Sequence, residues 1–156
     1  MLEDLYDFIT NKALLVPLFS WMIAQILKTL IDAAIHKTFR PSRLFGDGGM
    51  PSGHSATVMS LAMYIGLETG FDTFQFAIAM IFAIVVMHDA SGVRREAGKQ
   101  ARMILSIVDA IGEYINEKDL KIKDEKLKVL VGHTPLQVTC GALLGAAVAI
   151  IFHLFV

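Results

Sequence analysis

Charge and cysteine are both scarce in this 156-residue chain. Only 19% of the residues are charged against 54% hydrophobic, and the mean hydropathy is +0.57, a balance that disfavours an ordinary water-soluble domain of this length. A single cysteine, Cys140, excludes an intramolecular disulfide and gives no support to redox chemistry or a thiolate metal cluster. Its setting, VTCGALL at 138–144, is that of a small buried helix residue. Neither sign of charge predominates: 14 Lys and Arg against 15 Asp and Glu leave a formal charge of -1, so the total gives no reason to expect a nucleic-acid partner. Internal repeats, low-complexity tracts and a second soluble domain are also missing. The acidic opening MLEDLYD lacks the basic leader and cleavage pattern of a signal peptide.

What the chain does have is four apolar stretches. The first, 13–35, is long enough for a tilted span, but it carries Pro17, Gln25, Lys28 and Asp32. Lys28 and Asp32 are four apart and Gln25 lies a turn earlier, so one buried polar seam is more economical than separate exposure to lipid. The second stretch, 54–67, and the third, 71–87, are at or below spanning length and read as a helical hairpin, with Gly66 and Gly70 marking a tight reversal. The fourth, 138–156, contains Gly141 and Gly145, a spacing that lets helices approach closely within one chain or between two. The expectation is an all-α polytopic membrane bundle of about four transmembrane segments, forming one integral membrane domain over residues 1–156.

Four crossings put the 37–53 and 89–134 segments on one side. Nearly all the basic residues fall there: Lys37, Arg40 and Arg43 in the first, then Arg94, Arg95, Lys99, Arg102, Lys118, Lys121, Lys123, Lys126 and Lys128 in the second. That asymmetry predicts a cytoplasmic placement for both. Within residues 90–133, Met103, Ile104, Ile107, Val108, Ile111 and Ile115 recur at helical spacing, as in an amphipathic helix on the membrane interface or against the bundle. The mixed-charge run at 117–128 reads as a solvated connector.

Three short segments carry chemistry. GMPSGHSA at 49–56 can start a helix at which Ser52, Gly53 and free backbone N–H groups surround an anion, with His54 beside them as a proton donor. GHTPLQV at 132–138 places His133 just before another helix start, capped by Thr134 with Pro135 in its first turn. Taken singly, each segment also reads as ordinary helix punctuation or as a polar residue at a membrane boundary. Between them HDASGVRR at 88–95 offers Arg94 and Arg95 as planar forks for phosphate oxygens, with Lys28 and Arg40 as further cations. Asp89 can orient a histidine, pair with an arginine or bind a cation, but the adjacent His88-Asp89 pair does not define a metal site.

This ordered triplet, over roughly residues 21–145, resembles the divergent branch of the type 2 phosphatidic acid phosphatase family. The resemblance implies a helical membrane bundle with its reaction site at the membrane interface. It assigns His54 as general acid and His133 as the nucleophile that forms a phosphohistidine, with no required metal or other cofactor. Two departures stand out. The family's lysine before the Arg-Pro pair is replaced at its spacing by Ala33, leaving Lys28 as an approximate substitute for it beside Arg40-Pro41. The aspartate four residues after the nucleophile is Gln137, which can hold an imidazole by hydrogen bonding but lacks a carboxylate's charge.

The expected function is metal-independent hydrolysis of a lipid phosphate or diphosphate. Lys28, Arg40, Ser52, Gly53, Asp89, Arg94, Arg95 and Gln137 would surround the phosphate of a membrane lipid. The rival expectation is noncatalytic binding or transport of anionic phospholipids. A homodimer is a further expectation, because so short a bundle can need another chain to close its cavity.

Overall fold

In the computed structural model the described residues form six helices: α1 (Leu2–Thr10), α2 (Lys12–His36), α3 (Gly53–Thr69), α4 (Phe74–Ser91), α5 (Val93–Gly112) and α6 (Pro135–Phe155). The structure describes residues 1–39, 41, 44, 49–112 and 132–156, without the side chains of 94, 95, 109, 111 and 112, and no strand occurs among the described residues. Among the described residues three stretches are long and apolar enough to cross a membrane: Lys12–His36, Phe74–Val108 and Pro135–Phe155. The fourth expected crossing is α3, whose 17 residues rise only about 26 Å at 1.5 Å per residue. That falls short of a lipid-exposed span, so the count of four is approximate. α3 is instead the centre of the bundle and packs on α2, α4 and α6.

The distribution of side-chain size is that of a protein whose solvent is lipid. Ala24, Ala56, Ala62, Ala79, Ala83 and Ala149 are buried, whereas Leu18, Leu30, Ile78, Phe82, Leu143 and Ile151 point outward. With no hydrophobic drive between helices in a bilayer, close approach of small residues and interhelical hydrogen bonds must hold the bundle. Both devices join α3 to its neighbours. Gly141 and Gly145 of α6 lie directly on the α3 backbone: a Cβ at Gly145 would collide with the Ala56 carbonyl, and one at Gly141 with the Ser52 carbonyl. The glycine spacing therefore serves packing inside this chain. On the other side, Ser20 Oγ of α2 donates to the Ala56 carbonyl at 3.0 Å. Cys140 is half-buried on α6, less enclosed than its small apolar neighbourhood suggests.

The reversal between α3 and α4 sits later than the glycines alone indicate. Gly66 is still inside α3, where its missing side chain makes room for Phe71 and Phe76, whose rings meet edge to face at 5.1 Å. The chain turns at Gly70 (φ +100°), and Thr73 caps α4 through the Phe76 N–H. Thr73→Ala should cost about 1 kcal/mol, measured as a lower unfolding midpoint in detergent.

Two further elements differ from the sequence reading. α1 is an amphipathic helix ahead of the first span, with Asn11 capping the start of α2 through the Ala13 N–H. α5 begins at Val93, ten residues before the apolar pattern at 103, because only Gly92 separates it from α4. It packs mainly on α4 and leaves Met103, Ile104 and Ile107 exposed. The run at 117–128 lies outside the described residues.

At the end of the bundle far from His54, three helices are tied together. His153 of α6 lies 2.9 Å from Glu68 of α3, and Lys12 Nζ of α2 donates to the Val156 carbonyl at 2.9 Å.

Candidate functional site

The starts of α3 and α6 converge because each is built as a capped helix and the two caps are bonded to each other. Ser52 is the N-cap of α3: its Oγ accepts the Ser55 N–H at 3.3 Å and the Ser55 hydroxyl at 3.0 Å. Its own N–H donates to the backbone carbonyl of Gln137 in the first turn of α6, at 3.0 Å. Thr134 caps α6 in a reciprocal pair with Gln137, with the Gln137 N–H donating to Thr134 Oγ1 (3.3 Å) and the Thr134 N–H to Gln137 Oε1 (3.0 Å). The end of α4 closes the third side, where the Ala90 carbonyl accepts the His133 N–H at 2.9 Å.

This frame brings the two histidines of the sequence reading together. The His54 and His133 rings lie edge to face with centroids 5.9 Å apart. His133 is only 3% exposed, while His54 is half-buried. Nδ1 of His133 stands 3.2 Å from Gln137 Oε1, so one amide oxygen faces both the helix cap and the imidazole.

Beside Gln137 opens a pocket of about 320 Å³, walled by Lys28, Ile31, Asp32, Ile35, Gly49 and Met50. Lys28 is 3% exposed, and its Nζ donates to Gln25 Oε1 at 2.8 Å. The polar seam expected on the first span is thus formed, and it borders the pocket. Gly49 lies over the lysine stem at φ +104°, and a Cβ there would come within 3.0 Å of Lys28 Cγ. Glycine suits this position on both counts: the left-handed backbone and the close approach.

The other residues singled out in the sequence divide as follows. Ser52 is fully buried and its hydroxyl is engaged in the α3 cap. Gly53 is the first residue of α3, and a Cβ there would lie 3.3 Å from the Trp21 ring. Asp89 is half-buried in the last turn of α4, next to the Ala90 carbonyl that holds His133. Arg40 and the side chains of Arg94 and Arg95 lie outside the described residues, although α5 begins at Val93 near this end of the bundle. Among the described residues no three His, Cys, Asp or Glu side chains form a metal-binding group. Asp32 is the charged residue of the pocket wall that the motifs did not assign to the site. Its i,i+4 relation to Lys28 was the available signal.

A family model described as "Divergent PAP2 family" matches residues 9–148. The chain is also 39% identical over 155 residues to the uncharacterized membrane protein YuiD of Bacillus subtilis (strain 168), covering 96% of this chain and 98% of that protein. No solved structure matches it.

Proposed function

Given that the chain belongs to the divergent PAP2 family and is an integral membrane protein, we propose that it hydrolyses a lipid phosphate or diphosphate through a phosphohistidine intermediate, without needing a metal. The observation that carries this reading is the pairing of His54 and His133 at 5.9 Å where two helix starts meet, beside a pocket containing a buried lysine. Helix N-termini and Lys28 favour an anion there. Arg40, Arg94 and Arg95 are the further phosphate ligands in this proposal.

His133 attacks phosphorus in line, forming the P–N bond as the P–O bond to the lipid breaks. His54 gives its proton to the departing oxygen. The now neutral His54 then takes a proton from water as that water attacks phosphorus. The P–N bond breaks, inorganic phosphate leaves and both rings return to their starting states. Positioning and fixed positive charge supply most of the catalysis for phosphoryl transfer. A lipid substrate fits a largely apolar notch that holds Lys28, Asp32 and Gln137 in its wall and has exposed Ile31 and Ile35 on its flanks. The Lys/Arg bias of segments 37–53 and 89–134 supports a cytoplasmic location for the site.

The test is phosphate release by the purified full chain from phosphatidic acid and polyprenyl phosphates in mixed micelles. Release accompanied by an acid-labile phosphoenzyme is the expected result. Saturable binding of these lipids without release from any of them would overturn hydrolysis in favour of lipid binding or transport.

A further inference from the structure

We infer that Gln25 is a positioning residue of the proposed phosphate site, holding the Lys28 ammonium in the pocket wall with one end of its side chain and presenting a hydrogen-bond donor beside the start of α3 with the other. The inference deepens the phosphatase reading and rests on it for the identity of the anion. Both side chains are deep in the bundle, Gln25 at 6% and Lys28 at 3% exposure. Lysine can only donate, so the Gln25 atom 2.8 Å from Lys28 Nζ is the amide oxygen. The opposite end is therefore the amide nitrogen, which has no acceptor among the described residues. Buried donors are rarely left in that state, and one that is marks a place for an acceptor brought from outside the chain.

The acceptor's place follows from what lies against Gln25. Its Cδ is 4.0 Å from the position of a Cβ on Gly53, the first residue of α3. At this helix start the Ser52 hydroxyl takes the Ser55 N–H and the Ser52 carbonyl takes the Ala56 N–H, while the Gly53 N–H has no acceptor among the described residues. A backbone donor at a helix N-terminus and an amide donor next to it suit the oxygens of one anion. His54, the proposed proton donor, follows Gly53 directly in the chain.

Lys28 needs holding because of where it is. A lysine near a membrane surface extends its four-carbon stem and carries the ammonium toward water. Here the stem is closed in on one side by Gly49, where a Cβ would come within 3.0 Å of Cγ and 3.3 Å of Cδ, and the ammonium is drawn inward by Gln25 three residues earlier on α2. With stem and head both fixed few rotamers remain, so the charge is in place before an anion arrives. Ala33 stands at the spacing where the resemblance expects a lysine. Lys28 lies about 7.5 Å of helix rise before it, and the glutamine tether lets a lysine so placed serve the phosphate.

The test is binding of dioctanoyl phosphatidic acid to the purified full chain in detergent, read by titration calorimetry beside the unfolding midpoint of each variant. Gln25→Met, close in volume and apolar, should weaken binding by roughly tenfold or more. Lys28→Met should weaken it as well, and the double variant should lose clearly less than the product of the two single losses, because one residue acts through the other. Gln25→Glu separates positioning from packing. A carboxylate keeps the lysine paired and the midpoint near that of the wild type, but it removes the donor and sets a negative charge against the anion, so binding should still fall by roughly tenfold or more. Unchanged binding in Gln25→Met, wild-type binding in Gln25→Glu, or losses that multiply in full in the double variant would overturn the role of Gln25. Absence of binding by the wild type would overturn the anion site itself. None of these measurements needs turnover: the expected pattern in a protein that releases no phosphate from any lipid would overturn hydrolysis while supporting the role of Gln25.

Discussion

Alanine in place of His133 should abolish phosphoenzyme formation and lower kcat by roughly 10⁴-fold or more. The proposed P–N bond has no other origin than that ring, and the backbone N–H of residue 133 would still reach the Ala90 carbonyl, preserving the local frame. Alanine at His54 should behave differently. With a lipid alkoxide as leaving group, loss of the general acid should cost roughly 10²- to 10⁴-fold. With an aryl phosphate, whose phenolate departs without a proton, the first step should largely recover. The second step still lacks its base, so His54→Ala should accumulate phosphoenzyme on aryl phosphate. The double variant should be no slower than His133→Ala, because groups acting in one sequence are not additive. Rapid-quench labelling with ³²P substrate separates the two steps. Phosphoenzyme persisting in His133→Ala would place the nucleophile elsewhere.

Gly145→Leu should destabilise the bundle by about 3 kcal/mol or prevent its assembly. The obstacle to a side chain there is the carbonyl of Ala56 and the N–H of Ser60, both backbone of the central helix. A clash with backbone cannot be relieved by a rotamer change, so α6 must move away from α3. Ala147→Leu, on the exposed face of the same helix, should stay within about 0.5 kcal/mol of the parent. The comparison is made by unfolding in mixed detergent. The same glycine seam continues through Gly141 to the Ser52 carbonyl, beside the bond that joins the two caps. Separation of the helices should therefore part His54 from His133, and lipid phosphate binding should fall with stability.

Much of the candidate site's geometry could be read from residue order because its parts are local. A cap, a proline and a histidine within four residues announce a helix start whatever the fold, and four crossings then place 54 and 133 on one face. The seam of Gln25 and Lys28 was legible for the same reason, since three residues along one helix share a side. What depended on packing was less visible. The spacing of Gly141 and Gly145 is the same whether the partner helix belongs to this chain or to another, and only α3 lying against it decides. Gly66 looked like a turn residue because its actual partners, Phe71 and Phe76, arrive from beyond the turn. Asp32 could be placed on the seam but not in the pocket wall, which requires Gly49 and Met50 to fold back over α2.

The unequal reach of α2 and α3 sets a depth for the hydrolysis proposed above. Lys12 to Val156 ties the start of α2 to the end of α6, and Glu68 to His153 ties the ends of α3 and α6. Gly53 at the start of α3 faces the Trp21 ring and Gly49 lies on the Lys28 stem, so the later turns of α2 run on past the start of α3 at the histidine end. The last two turns of α2 rise past the imidazoles as a parapet, with Asp32 and Ile35 on its inner side and Lys28 near its foot. A phosphate that reaches the ring of His133 has descended below the rim of that parapet.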